Sequence, residues 1–133
     1  MRRTIGITLK LVSLAAVVQL VLGILFWTGH GYTWIPVHIV IGSILVLGLW
    51  TLSVIALVAR VRPGLAVFEL TWGLALAAFG MTQATILIGP MHWIVRVIHL
   101  VMAISAVRLA EMLGKAVLAT PAVDDAIPMR RAS

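Results

Sequence analysis

The sequence predicts an all-α integral membrane protein, an antiparallel four-helix bundle with up-down-up-down connections and both termini in the cytoplasm. Hydrophobic residues make up 62% of the 133 residues and charged residues only 11%, which is more apolar surface than a soluble domain of this size can bury. The apolar residues form four segments, each longer than the roughly 20 residues that cross a bilayer. These segments cover about 5–28, 34–59, 65–88 and 92–118. We therefore expect a multi-pass protein of the cell membrane, embedded in the lipid bilayer.

Each span has its own sequence features. The first follows a basic start, as a signal peptide does, but its apolar run is too long and lacks a clear cleavage site. The second has Pro36 in its first turn, where a missing amide hydrogen costs little. Turns of three to five residues link the spans, so consecutive helices are expected to be antiparallel neighbours. The third span carries small residues at a spacing typical of close helix packing. They are Gly73, Ala77, Gly80 and Ala84.

Positive charge is distributed asymmetrically along the chain. The formal net charge is +6, and basic residues lie near both termini and around the turn between the second and third spans. They include Arg2, Arg3, Lys10, Arg60, Arg62, Lys115, Arg130 and Arg131. The other two turns carry no Lys or Arg and have aromatic residues beside them, namely Trp27, Tyr32, Trp34 and Trp93. This is the positive-inside pattern with an outer aromatic belt, so the charge indicates orientation in the membrane and not binding to nucleic acid.

The four spans leave no room for a second domain. We expect residues 1–119 to form one four-helix transmembrane domain. Residues 120–133, with Asp124, Asp125 and Pro128 among them, are expected to be a disordered cytoplasmic tail.

Two histidines inside the spans are the main candidates for function. His38 and His99 lie in the second and fourth spans, separated by nearly the same interval as His30 and His92. An ionisable side chain within a bilayer is costly and indicates a functional role, although His38 is near enough to the boundary to face interfacial water. We expect His38 and His99 to be the axial ligands of one haem b. Because the chain has no cysteine, covalent c-type haem and all-cysteine iron–sulfur clusters are excluded.

Residues one helical turn from these histidines fit the same hypothesis. Arg96 lies one turn outward from His99, where a guanidinium can bind a haem propionate unless it extends to the membrane surface. Ala103 lies one turn beyond His99 on the other side, and Gly42 one turn beyond His38. Such small residues either leave room for a porphyrin ring or serve helix packing.

Four further polar residues are candidates for the surroundings of the cofactor. Gln19 and Gln83 are intramembrane amides, expected to hydrogen-bond between helices or near the pocket. His30 and His92 lie at the outer turns, where an exposed histidine needs no explanation. The more specific interpretation is that these two histidines contact a haem propionate or form a second metal site facing solvent.

A second polar set is expected near the cytoplasmic side. Arg108 and Glu111 share a helix face, and Glu69 of the third span should lie at a similar depth. A structural ion pair is one interpretation of this set, and a contact with a proton or a quinone is the other.

These elements resemble the heme A synthase family, whose members consist of two fused four-helix halves. The resemblance rests on the interval from His38 to His99, on the run from Gln83 to Gly89, and on Ile98 before His99. It covers all four spans, which correspond to one half of such an enzyme, and it implies haem b ligated by the two histidines. This chain departs from the family's catalytic half, which has a glutamate three residues before its histidine and an arginine directly after it.

The places of those residues are taken here by Ile35 and Ile39, and His99 is followed by Leu100. We therefore expect a small membrane-bound b-type cytochrome that transfers one electron near the outer face. Its partner would be a quinone or a redox protein, and the chain would be a homodimer or a subunit of a respiratory complex. Two alternatives stay open: a half-size, heme A synthase-like or quinol-oxidising enzyme, and a cofactor-free accessory subunit of a respiratory complex.

Overall fold

A computed structural model describes residues 1–120, and every regular element in this range is helical. The four α-helices are α1 (Arg2–Trp27), α2 (Ile35–Val58), α3 (Pro63–Thr82) and α4 (His92–Leu118). All four are long and apolar enough to cross a membrane. The predicted all-helical, four-span character is thereby confirmed. The predicted tail, apart from Thr120, lies outside the described residues.

The turns on either side of α2 have a backbone that suits sharp reversals. Between α1 and α2, Gly29 and Gly31 have φ values of 82° and 72°, a region that glycine adopts without a steric penalty. A short 3₁₀ turn, Tyr32–Trp34, then leads into α2. Between α2 and α3, Arg60 and Arg62 have positive φ values, and Pro63 begins α3 because a first-turn proline sacrifices no helical hydrogen bond.

The third helix ends earlier than the hydropathy pattern predicts. It was expected to continue to about residue 88 but ends at Thr82, and a 3₁₀ turn, Gln83–Thr85, follows it. Beyond that turn Ile86 is extended and Leu87 has a φ of 47°. Pro90 also disfavours a helical conformation in the residue before it, so α3 does not continue through this segment into α4. The link between α3 and α4 is therefore longer than the three-residue turn that was predicted.

Helix contacts bring the second helix against all three others. The contacts join α1 to α2 and α4, and join α2 also to α3 and α4. The contacts between α1 and α2 follow the two helices in opposite directions, as expected for an antiparallel pair. Val12 lies against Gly48, and Gln19 further along α1 lies against Gly42 earlier in α2. These glycines allow close approach, which is the usual means of holding helices together in a bilayer.

Buried side chains are concentrated at one end of the bundle. We define the basic half as residues 1–15, 45–76 and 106–120, and the histidine half as residues 16–44 and 77–105. All but one of the fully buried residues belong to the basic half, Leu49, Leu52 and Leu113 among them. Within the described chain, Val95 is the one fully buried residue of the histidine half. The packed core therefore lies away from the candidate site.

Candidate functional site

His38 lies in the second turn of α2, inside the histidine half. Its side chain is half-buried, and its ring meets that of Phe26 on α1 edge-on, with ring centroids 5.3 Å apart and planes at 69°. The Nδ1 atom is buried and has no hydrogen-bond partner. A buried polar atom without a partner is costly, so this ring has capacity for an interaction that the protein itself does not supply.

His99 lies in α4 and is packed against α3. Its ring stacks on Phe79, with centroids 6.1 Å apart and planes at 16°. Gly80 lies beneath it, and a Cβ atom at that position would come within 3.1 Å of His99 Cε1. Gly80 therefore admits the imidazole where a larger residue would crowd it. Like that of His38, the Nδ1 atom of His99 is buried and unpartnered.

The two imidazoles come from α2 and α4. They are close enough to interact electrostatically, and their two helices are in contact. The Nδ1 atoms of both rings are buried and have no hydrogen-bond partner among residues 1–120. The arrangement leaves two imidazoles, on helices that contact each other, available to a bound group.

The amide of Gln19 occupies the space over Gly42. A Cβ atom at Gly42 would lie 2.6 Å from Gln19 Nε2, and Gln19 Oε1 is buried without a partner. The prediction that Gly42 makes room for a ring stays a prediction, because a flexible side chain lies there now. The amide of Gln19 therefore lies beside α2 at a residue one helical turn along from His38.

Arg96 and Ala103 flank His99 along α4. Both are half-buried. Among residues 1–120 nothing forms a hydrogen bond or an ion pair with the Arg96 guanidinium. Ala103 packs against the edge of the hydrophobic core. A guanidinium without a protein partner, one turn from the histidine, is free to bind an anionic group.

The remaining candidates shape the turns at the end of the histidine half. His92 Nδ1 lies 3.1 Å from the carbonyl oxygen of Ile86 and so ties the start of α4 to the extended segment after α3. His30 is exposed, with Nδ1 3.3 Å from Thr28 Oγ1. Gln83 is half-buried at the C-terminal end of α3, where its backbone N–H donates to the carbonyl of Phe79.

The described residues contain no set of three or more His, Asp or Glu side chains able to hold a metal ion. This counts against a bare metal ion bound by protein groups alone, including the second metal site suggested for His30 and His92. It leaves the histidine pair unaffected, because a porphyrin supplies four ligands to its iron and needs two from the protein.

The second polar set is only partly as predicted. Arg108 Nη1 lies 3.3 Å from Glu111 Oε2, and Lys115 Nζ lies 3.8 Å from the same oxygen, so the expected pair on α4 is confirmed. Glu69 does not take part in this ion pair. That side chain is fully buried with no partner for either carboxyl oxygen, whereas Arg108 is largely exposed.

Two aromatic residues of the site escaped the sequence interpretation. Phe26 and Phe79 come from α1 and α3 and contact the two histidines in space. No spacing in the sequence reveals these contacts, since each depends on how two helices pack.

No protein-family model, curated protein or solved structure matches this chain. The resemblance to the heme A synthase family therefore stays a hypothesis, and the site has to be judged on its own geometry.

Proposed function

We propose that this protein is a membrane-bound b-type cytochrome in which His38 and His99 bind one haem b. The observation that carries the proposal is the pair of half-buried imidazoles, from two different helices, whose buried Nδ1 atoms have no hydrogen-bond partner among residues 1–120. Metal-bound histidines commonly use one ring nitrogen for the metal and the other for a second contact. Because neither imidazole has a hydrogen-bond partner among residues 1–120, the arrangement supports binding of a ligand more than a role in packing alone.

The small number of buried residues around the pair is compatible with a large and mainly apolar bound group. The histidine half has Val95 as its one fully buried residue among those described, while the basic half is closely packed. Phe26 and Phe79 hold the two rings through aromatic contacts. Arg96 would bind a propionate, and its unpaired guanidinium supports that role. When bound between two imidazoles, haem supplies one-electron redox chemistry, with both axial positions of the iron filled.

The proposal includes an orientation in the membrane. The basic half carries Arg2, Arg3, Lys10, Arg60, Arg62, Arg108 and Lys115, while Arg96 is the one Lys or Arg of the histidine half. By the positive-inside rule the basic half would face the cytoplasm, together with both termini. The chain would then pass up, down, up and down, and the haem would lie near the outer face. Its electron partner would be a quinone or a redox protein, with the chain acting as a homodimer or as a subunit of a respiratory complex.

The reduced-minus-oxidised visible spectrum of the purified protein tests this proposal. We expect a sharp low-spin b-type α-band that is lost in His38→Ala and in His99→Ala. His30→Ala is the matched control, because it removes an imidazole from an exposed turn and should keep the band. A colourless protein from haem-sufficient cells would contradict the proposal and favour a cofactor-free accessory subunit. Turnover of a quinol by the haem-loaded protein would instead identify an enzyme.

A further inference from the structure

Glu69 is a carboxyl group buried inside the bundle, far along α3 from the histidine pair. Its exposed fraction is 0%. It lies on the buried face of α3 with Ala66, Gly73 and Leu76, one turn from each of its nearest neighbours on that face. The site proposed for haem does not include Glu69, and the role proposed for Glu69 does not depend on that site.

Among residues 1–120, no basic group compensates the charge that Glu69 would carry when ionised. Neither of its carboxyl oxygens has a hydrogen-bond partner, and the ion pairs of the described chain join Glu111 to Arg108 and Lys115 instead. α2 and α4, which pack against α3, bring no charged side chain to this level that interacts with Glu69. The basic residues of this half all have exposed side chains. They are Arg2, Arg3, Lys10, Arg60, Arg62, Arg108 and Lys115.

Ser53 of α2 is the polar neighbour of this carboxyl. It too is 0% exposed, it interacts with Glu69, and its Oγ has no partner at hydrogen-bond geometry. A hydroxyl can both donate to and accept from a carboxylic acid. The two buried polar side chains therefore face each other across the α2–α3 interface, surrounded by apolar residues.

Two tryptophans hold the helices in place on either side of Glu69. Trp50 Nε1 on α2 donates to the carbonyl of Leu70 at 3.2 Å, and Trp72 Nε1 on α3 donates to the carbonyl of Met102 on α4 at 3.2 Å. Trp50 also fills the space over Gly73. These contacts hold α3 to both of its neighbours close to Glu69.

An unpaired carboxylate in such a place is far more costly than a neutral acid. We propose that Glu69 and Ser53 form a proton-binding site, in which Glu69 holds a proton and is a neutral carboxylic acid within the folded bundle. The ligand of this site is a proton, bound at one carboxyl oxygen, with the Ser53 hydroxyl as the hydrogen-bond partner available to it. An acidic residue within a membrane span is a functional hypothesis by default, and a bound proton is the function that this environment permits.

Infrared spectroscopy of the purified full-length protein at neutral pH tests the proposal. A protonated carboxyl group gives a carbonyl-stretch band that an ionised one lacks. The chain has only four Asp and Glu residues, so assignment is direct. We expect one such band, lost in Glu69→Gln and kept in the control Glu111→Gln. Ser53→Ala should keep the band and shift its position, because the hydroxyl partner is gone. Absence of the band from the wild type, or its survival in Glu69→Gln, would overturn the proposal.

Thermal unfolding gives a second measurement that does not depend on assigning a band. Unfolding exposes Glu69 to solvent, where it loses its proton at neutral and alkaline pH. The unfolded state then binds fewer protons than the folded state, so stability falls as the pH rises. We expect the melting temperature of the wild type and of Glu111→Gln to fall more between mildly acidic and mildly alkaline pH than that of Glu69→Gln. An equal fall in all three proteins would contradict a proton held at Glu69. Neither readout needs haem, so this proposal and the cytochrome proposal fail independently.

Discussion

Substitution of Gly80 by alanine tests whether His99 is held where the proposed function needs it. A Cβ atom at residue 80 would lie 3.1 Å from His99 Cε1, 3.8 Å from Nδ1 and 3.9 Å from Nε2. The first distance is shorter than ordinary van der Waals contact, so the imidazole has to move by a few tenths of an ångström. Because the ring also stacks on Phe79, it cannot move without disturbing that contact.

The size of the effect follows from two opposing contributions. Overpacking of this kind costs about 1–3 kcal/mol, whereas replacing a helical glycine by alanine contributes about 1 kcal/mol in favour of the helix. Gly80→Ala should therefore lower the free energy of unfolding by about 0–2 kcal/mol. If His99 ligates haem, the displaced ring should also weaken haem binding, because ligation requires the imidazole to return to the position that the added methyl group crowds.

Gly23→Ala is the matched control for this experiment. Gly23 is also a helical residue of the histidine half, and a Cβ atom there would meet nothing within 4 Å. The control should be as stable as the wild type or more stable, with the same haem spectrum. The assay is loss of the α-band when each protein is incubated with an excess of a haem-scavenging protein. Equal haem retention by Gly80→Ala and Gly23→Ala would refute the placement of His99 or its role as a ligand.

Substitutions at three further residues probe the anion site, the core and the surface. Arg96→Leu should weaken haem binding by about 1.5–3 kcal/mol, the contribution of a charge-assisted hydrogen bond, and so speed the loss of haem in the same assay. Arg96→Lys should lie between Arg96→Leu and the wild type. Equal haem retention by the wild type and both variants would exclude a propionate contact. Leu49→Ala truncates a side chain that is 0% exposed and should lower the free energy of unfolding by about 2–5 kcal/mol, measured by denaturant unfolding in detergent. A smaller loss would mean that the basic half is not the packed core. Arg108→Gln breaks an exposed ion pair with Glu111 and should change stability by about 1 kcal/mol or less, so a larger loss would mean that this pair is not exposed in the membrane.

Hydropathy was enough to predict the number of helices and most of their bounds. Spans of this length have to be helical in lipid, where backbone groups find partners only within the segment, and the fourth span begins at His92 and ends at Leu118 as expected. The end of α3 was missed because Ile86, Leu87 and Ile88 are as apolar as a membrane helix. Their conformation is set by backbone geometry around Gly89 and Pro90, which a hydropathy pattern does not register.

The site was predictable only as far as residue type and spacing allow. His38 and His99 could be selected because imidazoles are rare and costly in apolar spans. Their aromatic neighbours, and the amide of Gln19 over Gly42, depend on which helix faces contact each other. The surroundings of Glu69 could not be predicted for the same reason. Its position along α3 does not say whether the side chain points into the bundle or towards Arg108.

Electron paramagnetic resonance of the oxidised protein, with a measurement of haem content, tests most directly whether two imidazoles bind one iron. We expect one haem b per chain with the low-spin ferric signal of bis-histidine ligation. In His38→Ala and in His99→Ala that signal should disappear, and in His30→Ala it should remain. A low-spin signal that survives the loss of both His38 and His99, or a protein that never takes up haem, would contradict this expectation.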